Sequence, residues 1–359
     1  MINEIVAQYD PTPEHPRHSE GSFVTLKGGR ILFAYTQYTG GGGDHDEADI
    51  AMVTSDDHGK TWSEPTILVK NYAKLNVMSV TARRLDDGRL VIWYLVKRAF
   101  DDCRPDMIVS WDEGETWSDH VTTIPYPAYF VVNNDRIIQL TTGRLVMPAT
   151  YHRSCDPAPN DGRSTAHWFL SDDRGETWRE AKDWWALPVR STSGLQETGV
   201  VELTDGRLWS FSRTDVGRQW QYFSEDQGET WSSPEPSEFI APCSPLCIKQ
   251  IPGTNKLLAI WNDRSGRFGP AETEKESWGR TPLTSAVGSA DTGGAWMHFR
   301  VLEDAPDHGF CYTAIHFVDD PDGMTVLLAY CAGGKTTGGS VLNRLRMRRV
   351  SLDWFMREC

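Results

Sequence analysis

The chain has 359 residues, of which 39% are hydrophobic and 24% are charged, and its formal net charge is −14. Nucleic-acid-binding proteins are usually basic, and anionic membrane surfaces repel an acidic protein, so we expect neither partner. No apolar run reaches 18 residues, which excludes a membrane-spanning helix of ordinary length. The first residues lack a basic segment followed by an apolar one, so no signal peptide is visible. We therefore expect a cytoplasmic protein, with a trimmed secreted form as the alternative.

The seven cysteines are scattered and odd in number, which does not indicate a disulfide framework. Cys243 and Cys247 lie four residues apart without a second matching pair, so the spacing does not favour a zinc site. We expect no metal and no cofactor.

Glycine turns followed by short apolar strands recur along the chain, each after another apolar stretch. The six copies are residues 28–35, 87–94, 142–149, 205–212, 254–261 and 322–330. Each copy predicts an antiparallel hairpin.

A second motif, Ser-x-Asp-x-Gly-x-Thr-Trp, follows the hairpins. It occupies residues 55–62, 110–117, 171–178 and 224–231, and residues 289–296 are a degenerate copy with Ala295 in the Thr position. The Asp can accept hydrogen bonds from its own turn, the Gly can adopt a positive φ, and the Trp can be buried between repeats. Asp57, Gly59 and Trp62 are therefore predicted to be structural.

The two motifs together predict an all-β fold, a six-bladed β-propeller of four-stranded antiparallel blades. One such unit cannot bury both of its faces alone, so we expect a single domain over residues 1–359. The last repeat has only three strands of its own. The apolar patch at residues 5–9 is predicted to supply the fourth, which removes an exposed sheet edge.

In this topology the starts of the inner strands share one face of the ring with the loops between second and third strands. Counting nine residues back from each turn glycine gives polar residues, where a packed core would be apolar. They are Glu20, Ser79, Asn134, Glu197 and Ser244, with Tyr312 or Thr313 in the sixth repeat. These residues predict a ring around a pocket.

The loops on the same face add acids, arginines and histidines. They include Asp44, His45, Asp46, Lys97, His152, Arg153, Arg213 and Arg267. A concentration of arginines in an acidic protein favours a small anionic ligand, because the guanidinium matches a carboxylate in geometry.

Four stretches of the sequence resemble the sialidase superfamily, whose members are six-bladed propellers that act on terminal acidic sugars. QETGVVELTDGRLWSFSR carries Glu197 and Arg213, and GRTPLTSAVGSADTGGAW carries Arg280. CYTAIHFVDDPDGMTVLLAY carries Tyr312, and GGGGDHDEADI carries Asp44 and Asp46. The resemblance covers nearly the whole chain. It identifies the Ser-x-Asp-x-Gly-x-Thr-Trp motifs as the Asp boxes of that superfamily.

The resemblance implies a catalytic role for each of these positions. Tyr312 is the nucleophile and Glu197 its base, as in glycosidases with a Tyr nucleophile. Asp44, or else Asp46, is the general acid. Arg213 and Arg280 bind the substrate carboxylate, so the expected partner is a carbohydrate with an acidic terminal sugar.

One position departs from the family pattern. Where the family has Arg-Ile-Pro at the first inner strand, this chain has Ser19, Glu20 and Gly21, and Arg17 lies two residues earlier. Asn134, Asp135 and Arg136, in the stretch NNDRIIQL, are the candidate substitutes. The expected substrate-binding residues are Arg17, Glu20, Asn134, Arg136, Arg213 and Arg280.

Three functions remain open from the sequence. The first is an exo-glycosidase of sialidase type. The second is another carbohydrate-active enzyme, a glycosidase or a lyase, with His45, His152 or His167 as acid or base, because a fold does not determine a function. The third is a non-catalytic glycan-binding propeller.

Overall fold

A computed structural model describes residues 1–154, 162–269 and 273–357. Cys155, Cys359 and part of the loop between Asn262 and Arg280 lie outside the described residues. The chain folds into six antiparallel sheets, which form the six blades of a β-propeller. The predicted fold class is therefore confirmed.

The first three blades follow one another along the chain, and each begins with its innermost strand. Blade one contains β2 (His18–Thr25), β3 (Ile31–Tyr38), β4 (Ala48–Ser55) and β5 (Thr66–Val69), after the separate strand β1 (Asn3–Tyr9). Blade two contains β6 (Asn76–Arg84), β7 (Leu90–Ala99), β8 (Asp102–Ser110) and β9 (Val121–Thr122). Blade three contains β10 (Phe130–Val131), β11 (Ile138–Gln139), β12 (Leu145–His152), β13 (Ser164–Ser171) and β14 (Arg179–Glu180).

The other three blades repeat this order, and β1 pairs with β25 at the outer edge of the sixth. Blade four contains β15 (Gln196–Glu202), β16 (Leu208–Arg213), β17 (Arg218–Ser224) and β18 (Glu235–Ile240). Blade five contains β19 (Cys247–Gln250), β20 (Lys256–Trp261), β21 (Leu283–Ser289) and β22 (Gly294–Glu303). Blade six contains β23 (Cys311–Val318), β24 (Thr325–Cys331) and β25 (Leu345–Ser351), and the short helix α1 (Leu352–Met356) follows.

The Asp boxes are local turns held by their own side chains. In the first box, Asp57 Oδ1 accepts a hydrogen bond from the Thr61 backbone N–H at 2.9 Å, and Asp57 Oδ2 accepts one from Thr61 Oγ1 at 2.6 Å. The Gly59 N–H donates to Ser55 Oγ at 2.9 Å. Gly59 has a φ of +82°, which explains the glycine at this position.

The degenerate box of blade five forms no such turn. Asp291 Oδ2 accepts a hydrogen bond from Asn255 Nδ2 at 2.8 Å, and its Oδ1 accepts one from Thr204 Oγ1 at 2.5 Å. The replacement of Thr by Ala295 removes the hydroxyl that would close the box, and the outer strand continues as β22 from Gly294.

The Asp boxes and the glycine turns lie on the same face of the propeller. Arg30 Nε, beside the first glycine turn, is 2.7 Å from Asp56 Oδ1 of the first box. The Lys27 backbone N–H donates to Glu113 Oε2 in the box of the next blade at 2.7 Å. We call this the Asp-box face, and the opposite face carries the starts of the inner strands.

The hydrophobic core lies between neighbouring blades. Between blades one and two, for example, Leu32 and Ile50 pack with Val80 and Ile92. The Asp-box tryptophans extend these layers to different depths. Trp231 is 4% exposed and stacks on Trp168 with ring centroids 4.3 Å apart, whereas Trp117 is only partly buried.

Candidate active site

Four inner strands carry a β-bulge near their start, at a residue in the left-handed region. These residues are Glu20 (φ +53°), Ser79 (φ +55°), Glu197 (φ +52°) and Tyr312 (φ +58°). Such a conformation is unfavourable for residues other than glycine, and a bulge changes the direction of a side chain. Backbone strain of this kind clusters at functional sites. Four equivalent bulges therefore mark the start of the central channel as a candidate site.

These four side chains line a cavity of about 200 Å³, which we call the central pocket. Five of the six blades contribute to its wall. The polar lining residues are Glu20, Asp44, His45, Ser79, Lys97, Tyr129, Asn133, His152, Gln196, Glu197, Arg213 and Tyr312.

Tyr312, Glu197 and Arg213 form a connected group at one side of the pocket. Tyr312 Oη donates a hydrogen bond to Glu197 Oε1 at 2.7 Å and accepts one from Arg213 Nη1 at 3.1 Å. Burial and the neighbouring carboxylate raise the pKa of Tyr312 well above its usual value, although Arg213 and Arg280 lower it. The phenol is therefore neutral at rest and needs a base to become a nucleophile.

Glu197 keeps part of its hydrogen-bonding capacity. Its Oε2 atom lies 2.8 Å from Arg213 Nη1, but the angle does not make a hydrogen bond, and Oε2 has no other partner among the described residues. Arg213 is fixed from the other side, since its Nε and Nη2 atoms donate to Gln196 Oε1 at 2.9 and 2.7 Å. The Glu197 carboxylate can therefore accept a proton without losing a second hydrogen bond.

Arg280 lies beside the tyrosine ring and does not line the pocket. Its guanidinium is 5.6 Å from the centroid of the Tyr312 ring. Its Nη1 atom contacts Cys311 Sγ at 3.1 Å, and its Nη2 atom donates to the Cys243 carbonyl at 3.4 Å. In this position Arg280 contributes positive charge near the phenol.

Arg17 lies behind the pocket wall and connects two of its acids. Its Nη1 atom is 2.6 Å from Asp44 Oδ1, and its Nη2 atom is 3.2 Å from Glu20 Oε1. Arg17 also donates to Ser19 Oγ at 3.0 Å and to the Gly42 carbonyl at 3.3 Å, and it is only 1% exposed. Its hydrogen-bonding groups are therefore engaged within the protein.

Asp44 is the acid of the glycine-rich loop that reaches the pocket. Desolvation would raise the pKa of Asp44, but Arg17 and Lys97 together hold it below its usual range. Its backbone carbonyl accepts hydrogen bonds from Asn76 Nδ2, at 2.9 Å, and from Lys97 Nζ. The loop is thus held from two sides, with the carboxylate at the pocket mouth.

Asp46, by contrast, is exposed and turned back on its own loop, where Oδ2 accepts the Gly43 N–H at 2.7 Å. It does not line the central pocket.

Glu20 is buried in the pocket wall. Burial raises the pKa of Glu20, while Arg17 opposes the shift. Ser79 Oγ donates to Glu20 Oε2, so two bulge residues of neighbouring blades are joined directly.

Two expected ring residues, Asn134 and Ser244, and one expected substrate-binding residue, Arg136, are used for other contacts. Asn134 Nδ2 donates to the backbone carbonyls of Gly21, at 2.9 Å, and of Tyr312, at 3.1 Å, so Asn134 positions the tyrosine. Ser244 Oγ donates to Asn262 Oδ1 at 2.6 Å and is not in the pocket lining. Arg136 lies toward the Asp-box face, where it lines a different cavity. It follows Asp135, whose φ of +61° redirects the chain, so Arg136 does not reach the central pocket.

The opposite wall contains residues that the sequence did not assign to the substrate. His45 Nε2 lies 3.1 Å from Tyr129 Oη, and the Asn133 side chain places a buried, unpartnered Oδ1 atom in the lining. Lys97, at the end of β7, is 3% exposed. Tyr129 and Asn133 flank the two-residue strand β10, which no strand pattern predicts. The signal for Lys97 in the sequence is that this polar residue directly follows the long apolar stretch of β7.

Of the three histidines considered, two line the pocket. Burial and Lys97 lower the pKa of His45. His152 contributes to the same wall. His167 lies elsewhere in blade three, where Nδ1 is 2.6 Å from Glu180 Oε1 and the ring stacks on Trp184.

Among the described residues, no group of three or more His, Cys, Asp and Glu side chains is arranged to hold a metal ion. No helix in the described part of the chain has the length and apolar character needed to cross a membrane.

The six blades, the Asp boxes and the pocket at the starts of the inner strands define a sialidase-like β-propeller. The sequence model of the BNR repeat-like domain family matches residues 22–325, and the chain belongs to this family.

Comparison with individual proteins gives the same architecture. A curated sialidase from Paraclostridium sordellii is 30% identical over 219 residues, which are 54% of this chain and 52% of that protein. The matched region thus spans about half the length of the curated relative. The intramolecular trans-sialidase from Ruminococcus gnavus has a similar structure, with a TM-score of 0.73 at 16% identity, covering 99% of this chain and 98% of that one. A Dyadobacter fermentans protein of unknown function gives a TM-score of 0.72 at 18% identity, covering 97% of this chain and 99% of that one.

Proposed function

We propose that the protein is an exo-glycosidase of sialidase type that hydrolyses a terminal acidic sugar through Tyr312. The observation that carries the proposal is the hydrogen bond of 2.7 Å from Tyr312 Oη to Glu197 Oε1 in the central pocket, with Arg213 Nη1 3.1 Å from the same oxygen. A nucleophile within hydrogen-bond reach of its base, and a third group that orients both, is the arrangement that nucleophilic catalysis requires. The partial similarity to a curated sialidase supports the same class.

In the first step the Tyr312 oxygen attacks the anomeric carbon while its proton passes to Glu197. The bond from that carbon to the leaving oxygen breaks, and Asp44 gives the leaving oxygen a proton. A carboxylate nucleophile would be repelled by a sugar with a carboxylate on its anomeric carbon, whereas a neutral phenol is not. The high pKa of Tyr312 agrees with this role, because the phenol stays neutral until Glu197 removes the proton.

In the second step a water molecule attacks the anomeric carbon of the glycosyl-tyrosine. Asp44, now ionised, takes a proton from the water, and Tyr312 regains its proton from Glu197. The sugar is released with its original anomeric configuration, because two displacements occur at one carbon.

Cationic side chains in and directly behind the pocket wall support an acidic substrate. The lining itself holds two cations and three carboxylates, and Arg17 and Arg280 behind it bring the group to a net charge of +1. Arg213 and Lys97 both line the pocket, and Arg280 lies beside Tyr312. The Asn133 amide in the same lining can hydrogen-bond a sugar hydroxyl or amide N–H. A planar guanidinium such as that of Arg213 can bind a substrate carboxylate through two hydrogen bonds.

One observation favours a second candidate, a glycosidase or lyase that acts on a different sugar. Arg17 is engaged by Glu20, Asp44, Ser19 and the Gly42 carbonyl, is only 1% exposed and does not line the pocket, so it is not placed to bind a substrate carboxylate. Of the four arginines expected to bind the substrate, which are Arg17, Arg136, Arg213 and Arg280, only Arg213 lines the pocket. His45 and His152 in the opposite wall are the acid or base candidates for such a reaction.

The test is a panel of fluorogenic aryl glycosides, with sialosides, other acidic sugars and neutral sugars assayed on the full chain and on Tyr312→Phe. We expect turnover of an acidic glycoside that falls at least about a hundredfold in Tyr312→Phe. Tyr72→Phe is the matched control, since Tyr72 Oη also donates to a carboxylate, Asp106 Oδ2 at 2.6 Å, but outside the pocket.

Each contrary result has a defined meaning. Turnover of neutral sugars alone favours the second candidate. Turnover that survives Tyr312→Phe excludes the tyrosine as the nucleophile. Glycan binding without turnover of any member of the panel identifies a binding propeller.

A further inference from the structure

A second cavity lies at the other end of the central channel, on the Asp-box face. It has a volume of about 390 Å³ and is enclosed by the ends of inner strands from five blades. We call it the distal cavity and define it by the lining residues Arg83, Asp135, Arg136, Glu202, Lys249 and Phe317. It shares no lining residue with the central pocket.

Two arginines of the distal cavity have no hydrogen-bond or ion-pair partner among the described residues. Arg136 is 6% exposed, and its Nε atom is buried without a hydrogen bond. The Nε atom of Arg83 is buried in the same way. Within the described part of the chain, no hydrogen bond or ion pair involves either guanidinium, and that of Arg136 lies 5.6 Å from the centroid of the Phe211 ring.

An unpaired guanidinium away from water is unfavourable, because the protein does not replace the lost hydration. Burial lowers the pKa of Arg83, and Asp135 and Glu202 offset this shift only in part. Because both guanidinium groups line the cavity and neither is paired within the described residues, each can gain charge-assisted hydrogen bonds by binding an anion from solution.

The two acids of the distal cavity are already engaged. Asp135 Oδ1 accepts from Lys249 Nζ at 2.6 Å and from Ser22 Oγ at 2.9 Å, and its Oδ2 accepts the Ile315 N–H at 3.0 Å. Glu202 accepts from the backbone N–H and the hydroxyl of Thr141, at 2.9 and 2.7 Å. The arginines are therefore the side chains left for a ligand.

The charges and the apolar lining indicate which anion would fit. Three cations and two carboxylates line the cavity, which leaves one positive charge for the ligand to balance. Val200, Ile248 and Phe317 supply an apolar wall beside the arginines. A singly charged carboxylate with a short apolar body matches both features, whereas a phosphate dianion would leave an excess of negative charge.

We propose that the distal cavity is a second binding site, separate from the central pocket, for a small organic monocarboxylate held by Arg83 and Arg136. The guanidinium groups bind the carboxylate oxygens through charge-assisted hydrogen bonds, and the apolar wall contacts the hydrocarbon part. The site does not depend on the activity of the central pocket.

Isothermal titration calorimetry of the full chain at low ionic strength tests the proposal, with propionate as the probe. Inorganic phosphate and neutral propionamide are the comparison ligands. We expect saturable binding of propionate, weaker binding of phosphate and none of propionamide. Arg136→Gln and Arg83→Gln should each weaken propionate binding by about tenfold or more, because each removes a charge-assisted contact.

Two control variants keep the result specific. Arg207→Gln removes an arginine on the Asp-box face that is paired with Asp205 at 2.7 Å, and it should bind propionate as the parent does. Arg213→Gln removes the guanidinium that the proposed function assigns to a carboxylate in the central pocket, so propionate binding that remains in this variant does not come from Arg213. If Arg136→Gln does not fold, as judged by circular dichroism, then Arg136→Lys replaces it and should also bind propionate less tightly, because the planar fork is lost.

The proposal is overturned by any of four results. These are the absence of propionate binding, stronger binding of phosphate than of propionate, parent-like binding by both distal-cavity variants, or loss of binding in Arg213→Gln.

Discussion

Arg17 Nη1 lies 2.6 Å from Asp44 Oδ1, and this ion pair joins the glycine-rich loop to the first inner strand. It keeps Asp44 ionised at rest, since Arg17 and Lys97 outweigh the desolvation that would raise its pKa. A general acid must carry a proton when the leaving oxygen departs. Asp44 can therefore act as the acid only if the bound glycoside weakens its contact with Arg17.

The same ion pair predicts a pH-dependent effect of Asp44→Asn on stability. The folded pKa of Asp44 is below the unfolded value of about 3.9, so the pair stabilises the fold above that pH and the stabilisation is lost as pH falls through the folded pKa. The variant should melt at a lower temperature than the parent at pH 7, and the difference should shrink progressively as the pH falls below about 4 toward the folded pKa. Because the Asp44 side chain is 59% exposed, we expect an effect of less than about 1 kcal/mol.

Asp46→Asn is the control for this measurement. Asp46 lies on the same loop but forms no ion pair within the described residues, and its carboxylate accepts only a backbone N–H. A difference in melting temperature for Asp44→Asn that does not change with pH would show that the ion pair is not its cause.

The proposed nucleophile and base predict non-additive losses of activity. Tyr312→Phe removes the attacking oxygen, and Glu197→Gln removes the acceptor of its proton, so each should lower kcat steeply. The double variant should lose little more than Tyr312→Phe alone, because the two side chains act as one unit. The measurement is kcat for all three variants on the best substrate of the glycoside panel. Losses that multiply would mean that Glu197 acts independently of Tyr312, as a binding residue.

Trp231→Ala tests the contribution of the Asp-box tryptophans to stability. The ring is 4% exposed, stacks on Trp168 and donates from Nε1 to the Gly228 carbonyl at 3.1 Å. Its removal should lower the free energy of unfolding by about 3–5 kcal/mol, as measured by urea denaturation. Trp111→Ala is the control, because that ring is 67% exposed, and it should change stability by less than about 0.5 kcal/mol. Equal stability of the two variants would contradict the burial of Trp231.

The fold was predictable because its signals are local. Each Asp box satisfies its hydrogen bonds within a few residues, as Asp57 does with Thr61, so the motif alone predicts the turn. The glycine-turn hairpins are local signals of the same kind, and their six copies predict the six blades. Glu197 follows the repeated spacing of nine residues from a glycine turn, whereas Tyr312 was singled out by the resemblance of its stretch to the sialidase superfamily.

The rest of the site depends on contacts between distant parts of the chain. In blade three the inner strand is divided into β10 and β11, and the residue with positive φ is Asp135, one position after the Asn134 given by the count. A shift of one residue changes the direction of every side chain that follows, and Arg136 therefore lines the distal cavity. The contact of His45 with Tyr129 crosses from blade one to blade three, so no local pattern contains it.

The bulges themselves can be tested at Ser79, which has a φ of +55° and is outside the group of Tyr312, Glu197 and Arg213. Ser79→Gly, Ser79→Ala and Ser79→Val all remove the hydroxyl that donates to Glu20 Oε2, so they differ mainly in backbone preference and side-chain size. Glycine accepts the left-handed conformation without strain, alanine is less suited to it, and a β-branched residue is least suited.

Stability to urea should therefore fall in the order Gly, Ala, Val, with Val at least about 1–2 kcal/mol below Gly. The Ser79 backbone N–H also donates a hydrogen bond to Thr36 Oγ1 at 3.0 Å. All three variants can form this bond, but only while the bulge is intact. If Ser79→Val is as stable as Ser79→Gly, the strand must have relaxed to regular pairing. That result would mean that the bulge does not direct the side chain at position 79 into the central pocket. By analogy, it would also argue against this role for the bulges at Glu20, Glu197 and Tyr312.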